Sequence, residues 1–201
     1  MKTVTGLFDN YDDASDAVGE LEASGVPHAN ISIVANNSND WYDDGDTSKA
    51  AEDATGGAGV GAVIGGAGGL LTGLGLMAIP GVGPVVAAGW LAATAVGAVG
   101  GAVVGGAAGG IVGALTESGV PEKDAHVYAE GVRRGGTMVT ARVSDELAGE
   151  AERILGRANS VDLEERRSAY EADGWTRFDA DADPYGDIEA ERDRVRNTSP
   201  L

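Results

Sequence analysis

Side chains suited to catalysis are scarce in this sequence. His28 and His126 are its only histidines, it has no cysteine, and no Gly-x-Ser-x-Gly segment offers a serine nucleophile. Catalysis needs several titratable groups that converge on one point, whereas isolated histidines are more often found at a surface or a helix end. We therefore expect no catalytic residue and a protein that is not an enzyme.

The sequence also gives no indication of a metal or cofactor site. Asp179, Asp181 and Asp183 have the spacing of the first three ligands of a calcium loop, but Pro184 and Ala190 occupy the positions that need glycine and a bidentate glutamate. The glycine pairs in 57–59 and 81–83 lack the continuation that phosphate and dinucleotide sites require. We therefore predict no metal, no cofactor and no identified small-molecule ligand.

The most distinctive feature is a stretch from Ala54 to Thr116 that has no charged side chain and contains 21 glycines in 63 residues. Ten of these glycines recur at four-residue steps in two series: Gly57, Gly61, Gly65, Gly69 and Gly73, then Gly97, Gly101, Gly105, Gly109 and Gly113. A four-residue step draws a nearly straight stripe along a helix. A stripe without side chains lets two helix backbones pack closely. A turn between the series is predicted from Pro80, Gly81, Gly83 and Pro84.

This pattern predicts a glycine-zipper helical hairpin over 55–117 that mediates helix packing and self-association. Lipid or further copies of the chain must cover its outer apolar faces. As helices, its arms 56–79 and 85–116 would measure about 36 and 48 Å, longer than a hydrocarbon core of about 30 Å. The turn and Trp90 would then lie near the far membrane interface. Against insertion, the residues that flank the arms are acidic rather than basic.

The remaining segments predict an α+β domain. Strands are expected at 3–8, 31–35, 137–143 and 160–163, and helices after Asn10, over 121–134 and after Ser144. Two β-α-β units give a ferredoxin-like four-stranded antiparallel sheet with helices on one face. The predicted organisation is 1–36 for the first half of this domain, 37–54 for an acidic polar linker, 55–117 for the hairpin, 118–165 for the second half, and 166–201 for an acidic, partly ordered tail.

Net charge argues against nucleic acid as a partner. The chain has 32 acidic and 14 basic residues, for a formal net charge of -18, and such a surface repels phosphates. Abundant acidic residues with few lysines suggest a halophilic host, and an ordinary acidic protein is the alternative. The N-terminal residues lack the apolar run of a signal peptide, so we expect the soluble parts in the cytoplasm.

Several of these segments resemble one known family. The residues that match are 4–8, Ala14, Leu21, 24–27 and 31–34, the turn region 78–84 with 87–89, and then 119–122, Tyr128, 135–136 and 174–175. Over residues 3–178 they resemble the general stress protein 17M-like (YflT-type) domain family, in its glycine-zipper subgroup of low-temperature-induced and general stress proteins. The resemblance implies an association with stress and no established chemistry. The acidity and the segment after Tyr185 depart from the family.

Taken together, these features favour a non-enzymatic stress-response protein that self-associates through its hairpin in or on the cytoplasmic membrane, with its soluble domain in the cytoplasm. Its expected partners are itself and membrane lipid. One alternative is a soluble cytoplasmic homo-oligomer whose hairpins form a shared core. Another is a regulatory domain that binds a small ligand.

Overall fold

The computed structural model describes residues 1–42, 75–91, 110–157 and 159–198. These residues form an α+β fold around one five-stranded antiparallel sheet, which confirms the predicted α+β class but not the predicted four-stranded layout. The strands are β1 (Lys2–Phe8), β2 (Ile31–Asn36), β3 (Gly75–Ile79), β4 (Gly83–Gly89) and β5 (Thr137–Val143). Their order across the sheet is β1-β5-β2-β4-β3, and every neighbouring pair is antiparallel.

Helices cover both faces of the sheet, so the prediction of helices on one face is wrong. The six α-helices in the described part are α1 (Tyr11–Ala23), α2 (Ile111–Glu117), α3 (Glu122–Arg133), α4 (Asp145–Leu155), α5 (Leu163–Ala172) and α6 (Ile188–Thr198). Helices α1 and α4 contribute to one apolar layer, and α2 and α3 to the other. Successive strand residues point to opposite faces, and the adjacent Leu7 and Phe8 are both buried, one in each layer. A sheet that is apolar on both faces needs helices on both.

The two halves of the predicted domain interleave, because β5 lies between β1 and β2. The predicted fourth strand, 160–163, is reduced to a single bridge between Ser160 and Phe8. The reason lies in Asp162, whose carboxylate accepts hydrogen bonds from two amides in the first turn of α5. This N-cap begins a helix where the fourth strand was expected to continue.

Strands β3 and β4 replace parts of both predicted helical arms. Val85 and Val86 of β4 are fully buried, and β4 pairs along β2, whose edge would otherwise be open. β-branched residues favour such a buried, pleated position. Gly81, Gly83 and Gly89 have φ values of 76, 98 and 89°, which a right-handed helix does not allow. In this part of the chain, the glycines serve a β-hairpin and not a helix stripe.

The C-terminal segment is more extensively ordered than the partly ordered tail of the sequence analysis. Helices α5 and α6 lie against α3, where Val127, Tyr170 and Val195 form a small buried cluster. Phe178, in the loop between α5 and α6, is buried in the layer that α2 and α3 share. Buried apolar side chains, which are spaced widely among charged residues, therefore hold this segment on the domain.

The start of the predicted linker also packs on the domain. Asn37 exchanges hydrogen bonds with the backbone of Tyr42, at 3.0 Å in each direction. The indole of Trp41 donates to the carbonyl of Asn36 at 2.8 Å and stacks against Tyr11. Residues 43–54 of that linker lie outside the described residues.

Candidate functional site

Most of the predicted packing glycines cannot be placed. Gly57, Gly61, Gly65, Gly69, Gly73, Gly97, Gly101, Gly105 and Gly109 lie outside the described residues. Gly113 lies in α2, where it is half-buried and its carbonyl accepts a hydrogen bond from the Thr116 hydroxyl at 2.9 Å. Self-association through the ten glycines therefore stays a prediction.

The four predicted turn residues lie in the connection between β3 and β4. In this turn, the amide of Val82 donates to the carbonyl of Ile79 at 3.0 Å. Val82 is completely buried. Pro80, Gly81, Gly83 and Pro84 thus join two strands, whereas the sequence analysis placed them between two helices.

The loop between α5 and α6 lies directly on this turn. A Cβ atom added to Gly81 would lie 2.5 Å from the carbonyl oxygen of Asp179 and 2.7 Å from the Cα of Ala180. One added to Gly83 would lie 3.0 Å from the Cβ of Pro184. The turn therefore packs against the domain, and its predicted position at a far membrane interface is wrong. The aspartates that imitate a calcium loop belong to this covering loop, where the Asp179 carboxylate accepts from the Asp181 amide at 2.9 Å.

Trp90 is also held on the domain and not at a distant interface. Its indole N–H donates to the carbonyl of Asn30 at 3.1 Å. The guanidinium of Arg142 stacks on its ring, with Cζ 3.3 Å from the ring centroid. None of the helices in the described part of the chain combines the length and apolarity needed to span a bilayer.

Strand β3 begins, and strand β4 ends, at the end of the hairpin that lies opposite the turn. In the sequence, the uncharged run 54–74 precedes β3 and the uncharged run 92–109 follows β4. Gly75, the first residue of β3, lies opposite Ala87 of β4, and paired strand residues are about 5 Å apart. After β4, Leu91 is 1% exposed and its amide donates to the Ser32 hydroxyl at 2.9 Å.

A buried ion network joins α3 to the C-terminal segment. Arg134, the residue that follows α3, is 5% exposed, and it donates to Glu130 at 2.7 Å, to Glu191 of α6 at 2.9 Å and to Asp173 at 3.4 Å. Glu130 is fully buried and Glu191 is 7% exposed. The Arg134 guanidinium also stacks on Tyr170, 4.3 Å from the ring centroid. Burial alone would lower the pKa of Arg134, but the hydrogen bond and the charge of Glu130 raise it above its ordinary value.

This network was not predicted from the sequence. Glu130 and Arg134 have the four-residue spacing of a helical ion pair, which is a visible signal. Such pairs are usually exposed, however, and nothing in the local sequence shows that α5 and α6 cover this one. A buried arginine with three carboxylate neighbours is expensive to disrupt, so the network is a structural anchor.

A groove follows the outer edge of β1. Two adjoining cavities of about 460 and 600 Å³ share Val4, Thr5, Tyr128 and Glu152 in their linings. The Tyr128 hydroxyl donates to the Thr5 carbonyl at 2.8 Å, and burial raises its pKa. The Leu7 carbonyl at the same edge accepts a hydrogen bond from the Val161 amide at 2.8 Å, so two carbonyls of this edge already have partners inside the chain.

Neither histidine belongs to a cluster of catalytic type. His28 lies 2.8 Å from the carboxylate of Glu22 at an exposed position. His126 lies 3.9 Å from the carboxylate of Glu122 on α3. Within the described ranges, no group of three or more histidine, cysteine, aspartate or glutamate side chains could hold a metal ion.

Comparisons of the chain with protein-family models, with curated proteins and with solved structures found no match. A function for this chain must therefore be inferred from its own residues and geometry.

Proposed function

We propose that this chain is a non-enzymatic stress-response protein that self-associates through the uncharged runs 54–74 and 92–109. The resemblance to general stress proteins supports the stress association. The four-residue glycine steps support close backbone packing between copies. In this proposal the α+β domain is a rigid base, which we infer to be a ferredoxin-like sheet extended by the β3–β4 hairpin.

One observation supports the proposal most strongly: β3 begins and β4 ends at the same end of their hairpin, and these are the strand ends next to the two runs in the sequence. Two glycine stripes can pack together only if their helices are brought close, and the pairing of Gly75 with Ala87 supplies that proximity. The register of β3 and β4 also fixes the relative position of the two ends. The domain therefore has the geometry of a base that presents paired association segments.

The geometry favours association between copies over insertion into a membrane. Leu91 and Ile111, which flank the second run, are both buried in the same apolar layer of the domain. The 18 residues from 92 to 109 would have to leave this layer and return to it. A single crossing needs about 20 residues, so this run is too short to cross a bilayer and come back. We therefore prefer the shared core of several copies, with contact at a membrane surface as the alternative.

Measurement of particle size tests this proposal. Purified full-length chain in high-salt buffer should elute in light-scattering chromatography at a multiple of its 20.2 kDa mass. Replacing Gly65→Leu and Gly105→Leu should dissociate the particle, because a side chain on the stripe separates the backbones. Ala67→Leu and Ala107→Leu add the same kind of apolar bulk off the stripe and should leave the size unchanged.

Two results would contradict the proposal. If the wild-type chain is a compact monomer both in buffer and in detergent, the proposed self-association is contradicted. A chain that stays with carbonate-washed membranes, and is monomeric once extracted, would replace shared packing by membrane insertion.

A further inference from the structure

We propose that residues 175–198 form a strap that locks the β3–β4 hairpin onto the domain, and that opening of this strap promotes self-association. The second half of this inference rests on the function proposed above, and the first half does not. The strap consists of the loop after α5 together with α6.

The loop part of the strap closes over the hairpin turn. Gly81 and Gly83 leave no space for a Cβ atom beneath the backbone of Asp179 and the ring of Pro184. The contact is made by backbone and by apolar atoms, and the hairpin itself has no charged residue. This contact therefore holds the turn close to the loop but contains no ion pair.

The helical part of the strap is fixed by charge. Arg134, which directly follows α3, donates to Glu191 of α6 at 2.9 Å. Arg192 donates through its Nε to the carbonyl of Gly135 at 2.6 Å. Arg133 of α3 donates to the carbonyl of Asp183 at 2.8 Å, which links the same helix to the covering loop. The anchor of the strap is thus next to α3, and the surface that it covers is next to β3 and β4.

This arrangement separates the lock from the segment that it restrains. The carboxylate of Glu191 joins α6 to Arg134, whereas Glu130 lies on α3 and Arg134 directly follows that helix. Loss of the Glu191 charge leaves the Glu130–Arg134 pair in place and weakens the attachment of the strap. With the strap open, Phe178 leaves the apolar layer that it shares with Ile79 and Val82, and the apolar surface exposed on the hairpin favours contact with another copy.

Thiol labelling can measure strap opening, because the chain has no cysteine of its own. A single Val195→Cys thiol, at a position that is 5% exposed on α6, reports the strap. A single Val139→Cys thiol, at a completely buried position in β5, reports global unfolding. In the full-length chain, Glu191→Gln should speed labelling at 195 by about tenfold or more, because a hydrogen bond between charged groups contributes that much to the closed state. Labelling at 139 should not change.

Glu189→Gln is the matched control, since Glu189 lies on the same helix and is exposed. The strap proposal is overturned if position 195 is labelled at the same rate in wild type and in Glu191→Gln. It is also overturned if Glu191→Gln accelerates labelling equally at 195 and at 139. Light scattering then tests its regulatory role: Glu191→Gln should increase particle size and Glu189→Gln should not. Faster labelling without any change in size would overturn the regulatory half alone. Introducing Gly65→Leu into the wild-type chain and measuring particle size tests the proposed function independently of the strap.

Discussion

Replacement of Gly81 by alanine distinguishes a β-hairpin packed on the domain from a helical hairpin that projects away from it. Gly81 has a φ of 76°, so an alanine there is strained in either surrounding. In the structure, the new methyl group would also lie 2.5 Å from the carbonyl oxygen of Asp179 and 2.7 Å from the Cα of Ala180. Both are backbone atoms, which cannot rotate away.

The expected effect is the sum of two contributions. An alanine in the left-handed region costs about 1–2 kcal/mol, and an added methyl group that forces backbone to move costs about 1–3 kcal/mol. Gly81→Ala should therefore lower the free energy of unfolding by about 2–5 kcal/mol. Gly25→Ala isolates the first contribution, because Gly25 has a φ of 95° and no atom within 4 Å of the added Cβ.

Urea unfolding of the full-length chain, followed by circular dichroism in high-salt buffer, measures both variants. Gly119→Ala is a second strain control, with a φ of 99° and equally open surroundings. We expect Gly81→Ala to be less stable than either control by about 1–3 kcal/mol. If all three variants lose the same stability, the loop after α5 does not pack on the turn, and the β-hairpin interpretation fails.

Three further results are expected. Gly6→Ala should destabilise the chain by about 1–3 kcal/mol, because its methyl group would lie 2.8 Å from the Leu155 carbonyl oxygen. Gly149→Ala, in open space on α4, should instead stabilise it by about 0.5–1 kcal/mol. If urea unfolding showed that both variants change stability in the same direction, the packing of α4 on β1 would be contradicted. Burial raises the pKa of Tyr170 and of Tyr11 from 10.0 to about 12. Because the unfolded chain then loses these protons first, the free energy of unfolding should fall as pH rises from 10 towards 12. Tyr170→Phe should make this fall shallower, and an unchanged dependence of the unfolding free energy on pH would contradict the burial of Tyr170. Stability should rise as KCl is added, because salt screens the repulsion among charges that sum to -18, and thermal melting that is independent of KCl would contradict this reasoning.

The α+β class and most of the elements outside the glycine stretch could be predicted because their signals are local. Asn10 caps α1 through its side chain, which accepts from the amide of Asp13 at 2.8 Å. Gly25 ends the same helix with a positive φ, as expected for glycine just after a C-cap. These signals fix where an element begins and ends, but they do not fix which layer it joins.

The layers could not be predicted because they depend on contacts distant in sequence. Helix α3 has the same kind of amphipathic pattern as α1, yet the two pack on opposite faces of the sheet. The fourth expected strand was wrong for a local reason. The Ser160–Leu163 segment has strand-like residues, but Asp162 caps a helix there.

The predicted helical arms extended too far towards the Pro-Gly turn, because glycine has two structural uses. At four-residue steps it permits close helix packing, and at single positions it permits positive φ. Gly81, Gly83 and Gly89 are of the second kind. Around them, Val85 and Val86 supply the β-branched pair that a central strand favours. A periodic pattern that crosses a Pro-Gly turn therefore does not establish one continuous type of element on each side of it.

The charged residues and the glycine-rich stretch occupy separate parts of this chain, and this separation limits how copies could assemble. Because 54–116 has no charged residue, every one of the 32 acidic and 14 basic side chains lies outside it. Copies that meet through their uncharged runs must also bring together domains that each have a net charge of -18. The Debye length falls from about 30 Å at 0.01 M salt to about 3 Å at 1 M, so this repulsion extends beyond the domain surface in dilute buffer and nearly vanishes in concentrated salt. Concentrated salt screens the charge that keeps copies apart in dilute buffer, so a higher ionic strength should both stabilise the folded chain and favour the association proposed above.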